Sequence, residues 1–196
     1  MSSAPPVHIW MFCGYAGSGK THAANYLQSL LNPATTYVTA FADAVKDDVA
    51  TMYKLPRTLF DTQEGKASLV KTPDGQRKAR DLLIDYSLAM KEAYGEAIWA
   101  EEVVRRIRSV VERRRIEHII IHDLRFTAEV DTMYAEFGAA DDFILHTIRI
   151  VRPSVASLPI PSEHNLDTYV ADVTIENNGS IDDLHSKINE LFRTIQ

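Results

Sequence analysis

Gly14-Tyr15-Ala16-Gly17-Ser18-Gly19-Lys20-Thr21 matches the pattern G-x-x-x-x-G-K-[ST] at every fixed position and lies between a short apolar run and a helix-forming segment. No other stretch constrains the fold as strongly. Val7-His8-Ile9-Trp10-Met11-Phe12-Cys13 has the composition of a buried parallel strand, and residues 21–31 have that of a helix. Strand, glycine loop and helix in this order aim successive backbone N–H groups and the positive end of a helix dipole at one point, where a phosphate is stabilised. Gly14, Ala16, Gly17, Ser18, Gly19, Lys20 and Thr21, with the adjoining His22, are therefore the candidate ATP-binding residues. Lys20 is expected to reach the β/γ-phosphates and Thr21 to hold Mg²⁺.

A chain of 196 residues with 45% hydrophobic content is long enough for one α/β domain with a substantial core and too short for two ordinary ones. Its formal net charge of −6 argues against a broad nucleic-acid-binding surface, whereas a small anionic ligand needs only a few placed cations. Cys13 is the only cysteine and falls in the first predicted strand, which excludes a disulfide framework and a cysteine-based metal site. No apolar run reaches membrane-spanning length, and Met1-Ser2-Ser3-Ala4-Pro5-Pro6 lacks the charged start and apolar stretch of a secretory signal. The expectation is a cytoplasmic protein with no nucleic-acid or membrane partner.

Along the chain, strand and helix patterns alternate. Residues 36–41 are β-prone and 42–53 helical; 55–74 read as irregular, with Pro56, Gly65 and Pro73 as breakers. Helices are expected over 76–94, 98–115, 127–137 and 181–195, and strands over 117–122, 143–151 and 172–176. The fold class that follows is α/β: a three-layer P-loop kinase fold in which a five-stranded parallel sheet has helices on both faces. The extra helix between the second and third strands predicts a helical substrate-binding insertion at about 54–98, and the proline-containing connection at about 153–169 a short lid, within a single domain.

Open parallel sheets bind ligands beyond the carboxyl ends of their strands, so charged residues there are the candidates for chemistry. Asp43 and Lys46 follow the second strand, and Lys46 is either an anion contact or a solvated lysine. Asp123 follows the Ile119-Ile120-Ile121 strand, where an acidic residue holds Mg²⁺ directly or through water or else caps the next helix; Arg125 is placed to neutralise a transferring phosphoryl group. Arg149 and Arg152 end the fourth strand on opposite faces, with Arg152 the better catalytic candidate and Arg149 equally suited to a structural ion pair. His22, His118, His122, His146, His164 and His185 show no metal-ligand spacing.

The combination of the P-loop, Phe41-Ala42-Asp43-Ala44-Val45-Lys46, Arg80-Asp81-Leu82-Leu83, Asp123-Leu124-Arg125-Phe126, Val151-Arg152-Pro153, Ser162-Glu163-His164-Asn165-Leu166-Asp167 and Ile175-Glu176-Asn177-Asn178-Gly179-Ser180 resembles the bacteriophage and viral deoxynucleoside monophosphate kinase family. The resemblance implies direct in-line phosphoryl transfer from ATP, with Mg²⁺, to a small phosphorylated acceptor, a deoxynucleoside monophosphate. It implies that Lys46 and Arg80 hold the acceptor phosphate, and that Lys20, Asp123, Arg125 and Arg152 form the catalytic set, with Arg125 also touching the acceptor. Asn178 and Gly179 match the loop under adenine; Asp43, Trp99 and Glu163 join the substrate-side candidates, Glu163 being equally suited to a lid hinge or a structural contact. Ile84-Asp85-Tyr86-Ser87-Leu88-Ala89 departs from the family's glutamine-containing stretch, so base recognition does not carry over. Animal-type phosphomevalonate kinases share much of the pattern and are the alternative; a nucleotide-binding regulator without kinase activity is the second. A homodimer is compatible with either.

Overall fold

Val7–Cys13 is buried along almost its whole length and forms strand β1. The computed structural model describes residues 5–195; Met1–Ala4, read above for a secretory signal, and Gln196 lie outside the described residues. After β1 come α1 (Lys20–Leu30), β2 (Thr36–Thr39), α2 (Phe41–Tyr53), a 3-10 turn (Arg57–Phe60), α3 (Gln63–Ala67), β3 (Leu69–Thr72), β4 (Gly75–Lys78) and α4 (Ala79–Tyr94). The chain continues through α5 (Ile98–Arg113), β5 (His118–Ile121), α6 (Thr127–Phe137), β6 (Phe143–Val151), α7 (Pro161–His164), β7 (Val173–Glu176) and α8 (Ile181–Ile195). These elements form two compact units, one holding the chain up to Ala40 and from Val104 onward, the other Phe41–Val103.

The first unit is built on a five-stranded parallel sheet of order β2-β5-β1-β6-β7. With β1 in the centre and buried on both faces, its near-continuous apolar sequence is explained. Trp10, Phe12, Ile120, Ile148 and Ile150 pack with Ala23, Ala24 and Leu27 of α1 and Leu184, Ile188 and Leu191 of α8. The opposite face is covered by α6, whose Phe137 ring lies 4.6 Å from Phe143 of β6. Because the strands run in parallel with Met11 opposite Ile121, Cys13 opposite Arg149 and Val151 opposite Glu176, the segments that follow β1, β5, β6 and β7 all leave from one edge.

The same register collects histidines that are far apart in sequence. His8 lies opposite His118 and Trp10 opposite His146. One of His8 Nδ1 and His146 Nε2 donates to the other at 2.9 Å, Trp10 Nε1–H donates to His118 Nδ1 at 3.3 Å, and Phe192 of α8 flanks Trp10 and His118. His8, Trp10 and His146 stack on one another, and His118 lies tilted against His8 and Trp10. Burial holds His8, His118 and His146 below the usual imidazole range, His146 at about 4, against weaker upward pulls from Asp172 and Glu117. The unfolded chain thus binds these protons more readily than the fold does. Their contribution to stability is complete above about pH 6.5 and is lost as the pH falls toward 4. Unfolding titrations from pH 7 to 4 are expected to show a loss on the order of 1–3 kcal/mol that is smaller in His146→Phe; equal slopes in the two proteins would contradict it.

The second unit has its own core of Ala44, Val45, Val49, Phe60, Val70, Leu82 and Trp99. Here the structure corrects the sequence reading. Residues 55–74 are not irregular but contain the 3-10 turn, α3 and β3, and Gln76–Lys78 belongs to the antiparallel β3–β4 hairpin rather than to the helix, which starts at Ala79. The hairpin shows little hydrophobic alternation because only Val70 and Thr72 of β3 are buried.

Candidate active site

The glycine loop is shaped by two close backbone approaches. A Cβ on Gly14 (φ +138°) would stand 2.3 Å from the Ile150 carbonyl oxygen of β6, and one on Gly19 (φ +102°) 2.5 Å from Asn177 Nδ2. Asn177 holds this loop, and the sequence reading passes over it in favour of its neighbours. Buried after β7, it donates from Nδ2 to the Ser18 carbonyl at 2.8 Å and from its backbone N–H to the Val151 carbonyl at 2.7 Å, tying the loop to two strand ends. Its signal was its place beside Asn178-Gly179, the dipeptide read as the adenine loop.

Lys20, 7% exposed, donates to the Tyr15 carbonyl at 3.2 Å. Burial lowers its pKa, the nearby Arg125 adds to this, and Glu163 and Asp123 oppose it, so two cations and two carboxylates act on one another at the loop. Thr21 is exposed at the start of α1, and the hydroxyl of Ser18 is buried with no hydrogen-bond partner among the described residues. His22 pairs with His185 of α8, one Nε2 donating to the other at 2.9 Å.

Beyond β5, the Leu124 N–H donates to the Phe12 carbonyl and its side chain is buried, leaving Asp123 and Arg125 on either side of it, both half-buried. α6 is capped by the buried Glu129, whose carboxylate accepts from the N–H groups of Arg125 (2.7 Å) and Phe126 (3.0 Å). Arg125 Nη1 donates to Glu163 Oε1 at 2.9 Å, while Glu163 Oε2 accepts from the Ala16 N–H of the loop at 2.7 Å.

Arg149 lines the same cavity as Arg152, and its Nη2 donates to the carbonyls of Leu166 (2.7 Å) and Tyr169 (2.8 Å). Arg152 is exposed and lines a cavity of about 460 Å³ with Gly14, Tyr15, Ser18, Val155 and Asp167. Asn178 and Gly179 are exposed at the turn into α8, with Asn178 near Glu176 and Lys187.

In the second unit the expected cations are already partnered to different degrees. Lys46 pairs with Asp61 (3.2 Å) and Asp43 (3.6 Å). Arg57, which sequence reasoning did not single out, is held by three carboxylates: Asp43 at 2.8 Å and Asp47 and Asp61 at 2.6 Å each. Arg80 is exposed and donates to the neutral Gln63 Oε1 at 2.6 Å. Trp99 is a core residue, 6% exposed, whose Nε1–H donates to Ser87 Oγ.

The glycine loop lies at the carboxyl edge of a parallel sheet of order β2-β5-β1-β6-β7, with Lys20 and Arg125 beside it. The chain has the fold of a P-loop kinase. The tunicamycin resistance protein of Deinococcus radiodurans superposes with a TM-score of 0.51 at 12% identity, over 96% of this chain and 96% of that one. The Mycobacterium tuberculosis APS kinase CysC in complex with AMPPNP and APS gives 0.50 at 12% identity, over 97% and 99%. No family model and no curated protein matches the sequence. No described helix is long and apolar enough to cross a membrane.

Proposed function

We propose that the protein transfers the terminal phosphoryl group of ATP to a deoxynucleoside monophosphate by direct in-line displacement. The observation that carries the reading is the gathering of Lys20, Arg125, Asp123 and Glu163 within electrostatic reach of one another at the glycine loop. Phosphoryl transfer asks for positioned charge rather than a covalent nucleophile, and a monophosphate acceptor already carries a nucleophilic oxygen at neutral pH. Lys20 and Arg125, with Arg152 from the cavity wall, stabilise charge on the transferring group; the loop from Gly14 to Thr21 holds the donor phosphates, and Asn178 and Gly179 lie under the adenine.

The donor set suits Mg²⁺. Among the described residues no group of three or more His, Cys, Asp or Glu side chains forms a metal site by itself, whereas the Thr21 hydroxyl and Asp123 carboxylate are the few hard oxygen ligands that Mg²⁺ takes alongside nucleotide phosphates. The ion would supply charge neutralisation there.

On the acceptor side, Arg80 is more available to a phosphate than Lys46, since its partner Gln63 is uncharged, while Lys46 must exchange Asp61 for it. Arg80→Ala is expected to raise the acceptor KM about tenfold and leave the ATP KM within about twofold. Equal rises in both constants would remove Arg80 from this role. Phosphomevalonate remains the alternative acceptor on one observation: Phe60 and Trp99 are buried, and Tyr53 and Tyr86 pack against the same core, so the aromatic residues best suited to stack on a base are occupied. A panel of ATP with each deoxynucleoside monophosphate, each ribonucleoside monophosphate and phosphomevalonate tests both. Turnover of a deoxynucleoside monophosphate above all others is expected; turnover of phosphomevalonate alone gives the alternative, and none with any acceptor overturns the kinase reading.

A further inference from the structure

Glu163 is the most buried carboxylate at the candidate site, its side chain 1% exposed. Both of its oxygens are used within the protein: Oε1 accepts from Arg125 Nη1 and Oε2 from the Ala16 N–H. A group so enclosed and so fully engaged has no surface left for an acceptor molecule, so its contribution has to pass through its two partners. We propose that Glu163 is a positioning residue that fixes the Arg125 guanidinium at the glycine loop.

The two ends of Arg125 are held by different carboxylates. Glu129 takes its backbone N–H, which sets the main chain at the start of α6, and Glu163 takes the guanidinium, which sets the side chain. An arginine side chain has several rotatable bonds and is well hydrated when free; one buried carboxylate at 2.9 Å reduces it to one geometry before any ligand arrives. Removal of that carboxylate leaves Arg125, itself 33% exposed, free to turn toward solvent. The Ala16 contact makes the same carboxylate a spacer between the arginine and the loop, so the two move together.

The segment that carries Glu163 is itself fastened. Asn165 Oδ1 accepts from the Thr127 N–H at 2.7 Å, Asp167 Oδ1 accepts from the Tyr15 hydroxyl at 2.8 Å, and the carbonyls of Leu166 and Tyr169 accept from Arg149. His164 Nδ1 and Asp167 close a local bridge at 2.8 Å. These bonds join the segment to the glycine loop, to the start of α6 and to β6.

The kinetic arm of the test rests on the phosphoryl-transfer reading; the structural arm does not. E163Q keeps the shape of the side chain and removes its charge, and E163D shortens it so that it cannot reach both partners. In the full-length protein, either variant is expected to lower kcat by about tenfold or more with the ATP KM within about threefold, and in an R125A background E163Q is expected to add less than about twofold. Modification of Arg125 by phenylglyoxal, read by peptide mass mapping at 25 °C on samples whose thermal unfolding shows them folded, is expected to be several-fold faster in the Glu163 variants than in the wild type. Unchanged Arg125 reactivity, or a loss of kcat in the R125A background as large as in the wild type, would overturn the proposal. Faster modification of Arg125 in a protein that turns over no acceptor would leave the positioning role standing and remove the kinase reading instead.

Discussion

Replacing Lys20 with alanine is expected to reduce turnover by on the order of 10²–10³-fold in the acceptor panel while the fold survives intact. The kinetic part follows from place and chemistry. Lys20 is the sole cation of the glycine loop, it opens α1, and its ammonium lies within electrostatic range of Arg125, Asp123 and Glu163, where charge in the transition state would develop. The stability part follows from burial. The ammonium has been taken out of water, with a single hydrogen bond to the Tyr15 carbonyl in return, and both burial and Arg125 push its pKa down. A group whose folded pKa lies below its unfolded one costs stability at neutral pH, and the cost is removed with the charge. The midpoint of thermal unfolding in Lys20→Ala should therefore stay level or rise. Near-normal turnover would refute the phosphoryl-transfer reading, and a collapse of the unfolding midpoint would refute the account of the lysine as a desolvated charge rather than a structural tie.

The largest loss of stability is expected from Gly14→Ala. The added Cβ would meet a backbone oxygen, that of Ile150, at 2.3 Å and the Ser18 Oγ at 2.9 Å, at a φ of +138° that side-chain-bearing residues seldom adopt. The carbonyl cannot rotate away, since Ile150 is an inner residue of β6, paired to β7 and 1% exposed. A cost of about 3 kcal/mol or more is expected, or a fall of roughly 6–12 °C in the unfolding midpoint for a chain of this size. Gly17→Ala is the comparison that isolates the clash. Gly17 also has positive φ, +79°, but its Cβ would meet only the Val155 methyls at 3.8 Å, so the backbone penalty alone remains, about 1 kcal/mol. Equal destabilisation of the two variants would mean that the approach of β6 to the loop is not what requires glycine at position 14.

The parts of this fold legible in the sequence are those where one local pattern decides the outcome. β1 is apolar because it is central, the glycine loop has a fixed spacing, and Ile119-Ile120-Ile121 can only be buried; from these, the parallel sheet and its carboxyl edge followed. The β3–β4 hairpin was not legible, because two four-residue strands with a largely exposed surface offer no period to detect, and Gln76-Arg77-Lys78 has a composition that a helix accepts equally well. At the site, a charged residue at a strand end has a positional signature in the sequence, whereas a residue whose partner is the backbone of a distant loop has none. Asn177 looks like half of a turn until its amide is seen on the Ser18 carbonyl, and Arg57 looks like a surface arginine until two aspartates of α2 and Asp61, just after the 3-10 turn, converge on it. The histidine cluster depends on parallel register between β1, β5 and β6, which has no local signature at all.

The tie from Asn177 to Ser18 has a consequence for how the protein comes into being on the ribosome. β1 is translated before both of its sheet neighbours, β5 and β6, and the residue that closes the glycine loop comes later still, after β7. Until β5 and β6 have been made, the nascent chain therefore carries an apolar strand unpaired and its glycine loop untied. The loop reaches its final shape only after Asn177, 159 residues beyond Ser18, has been added.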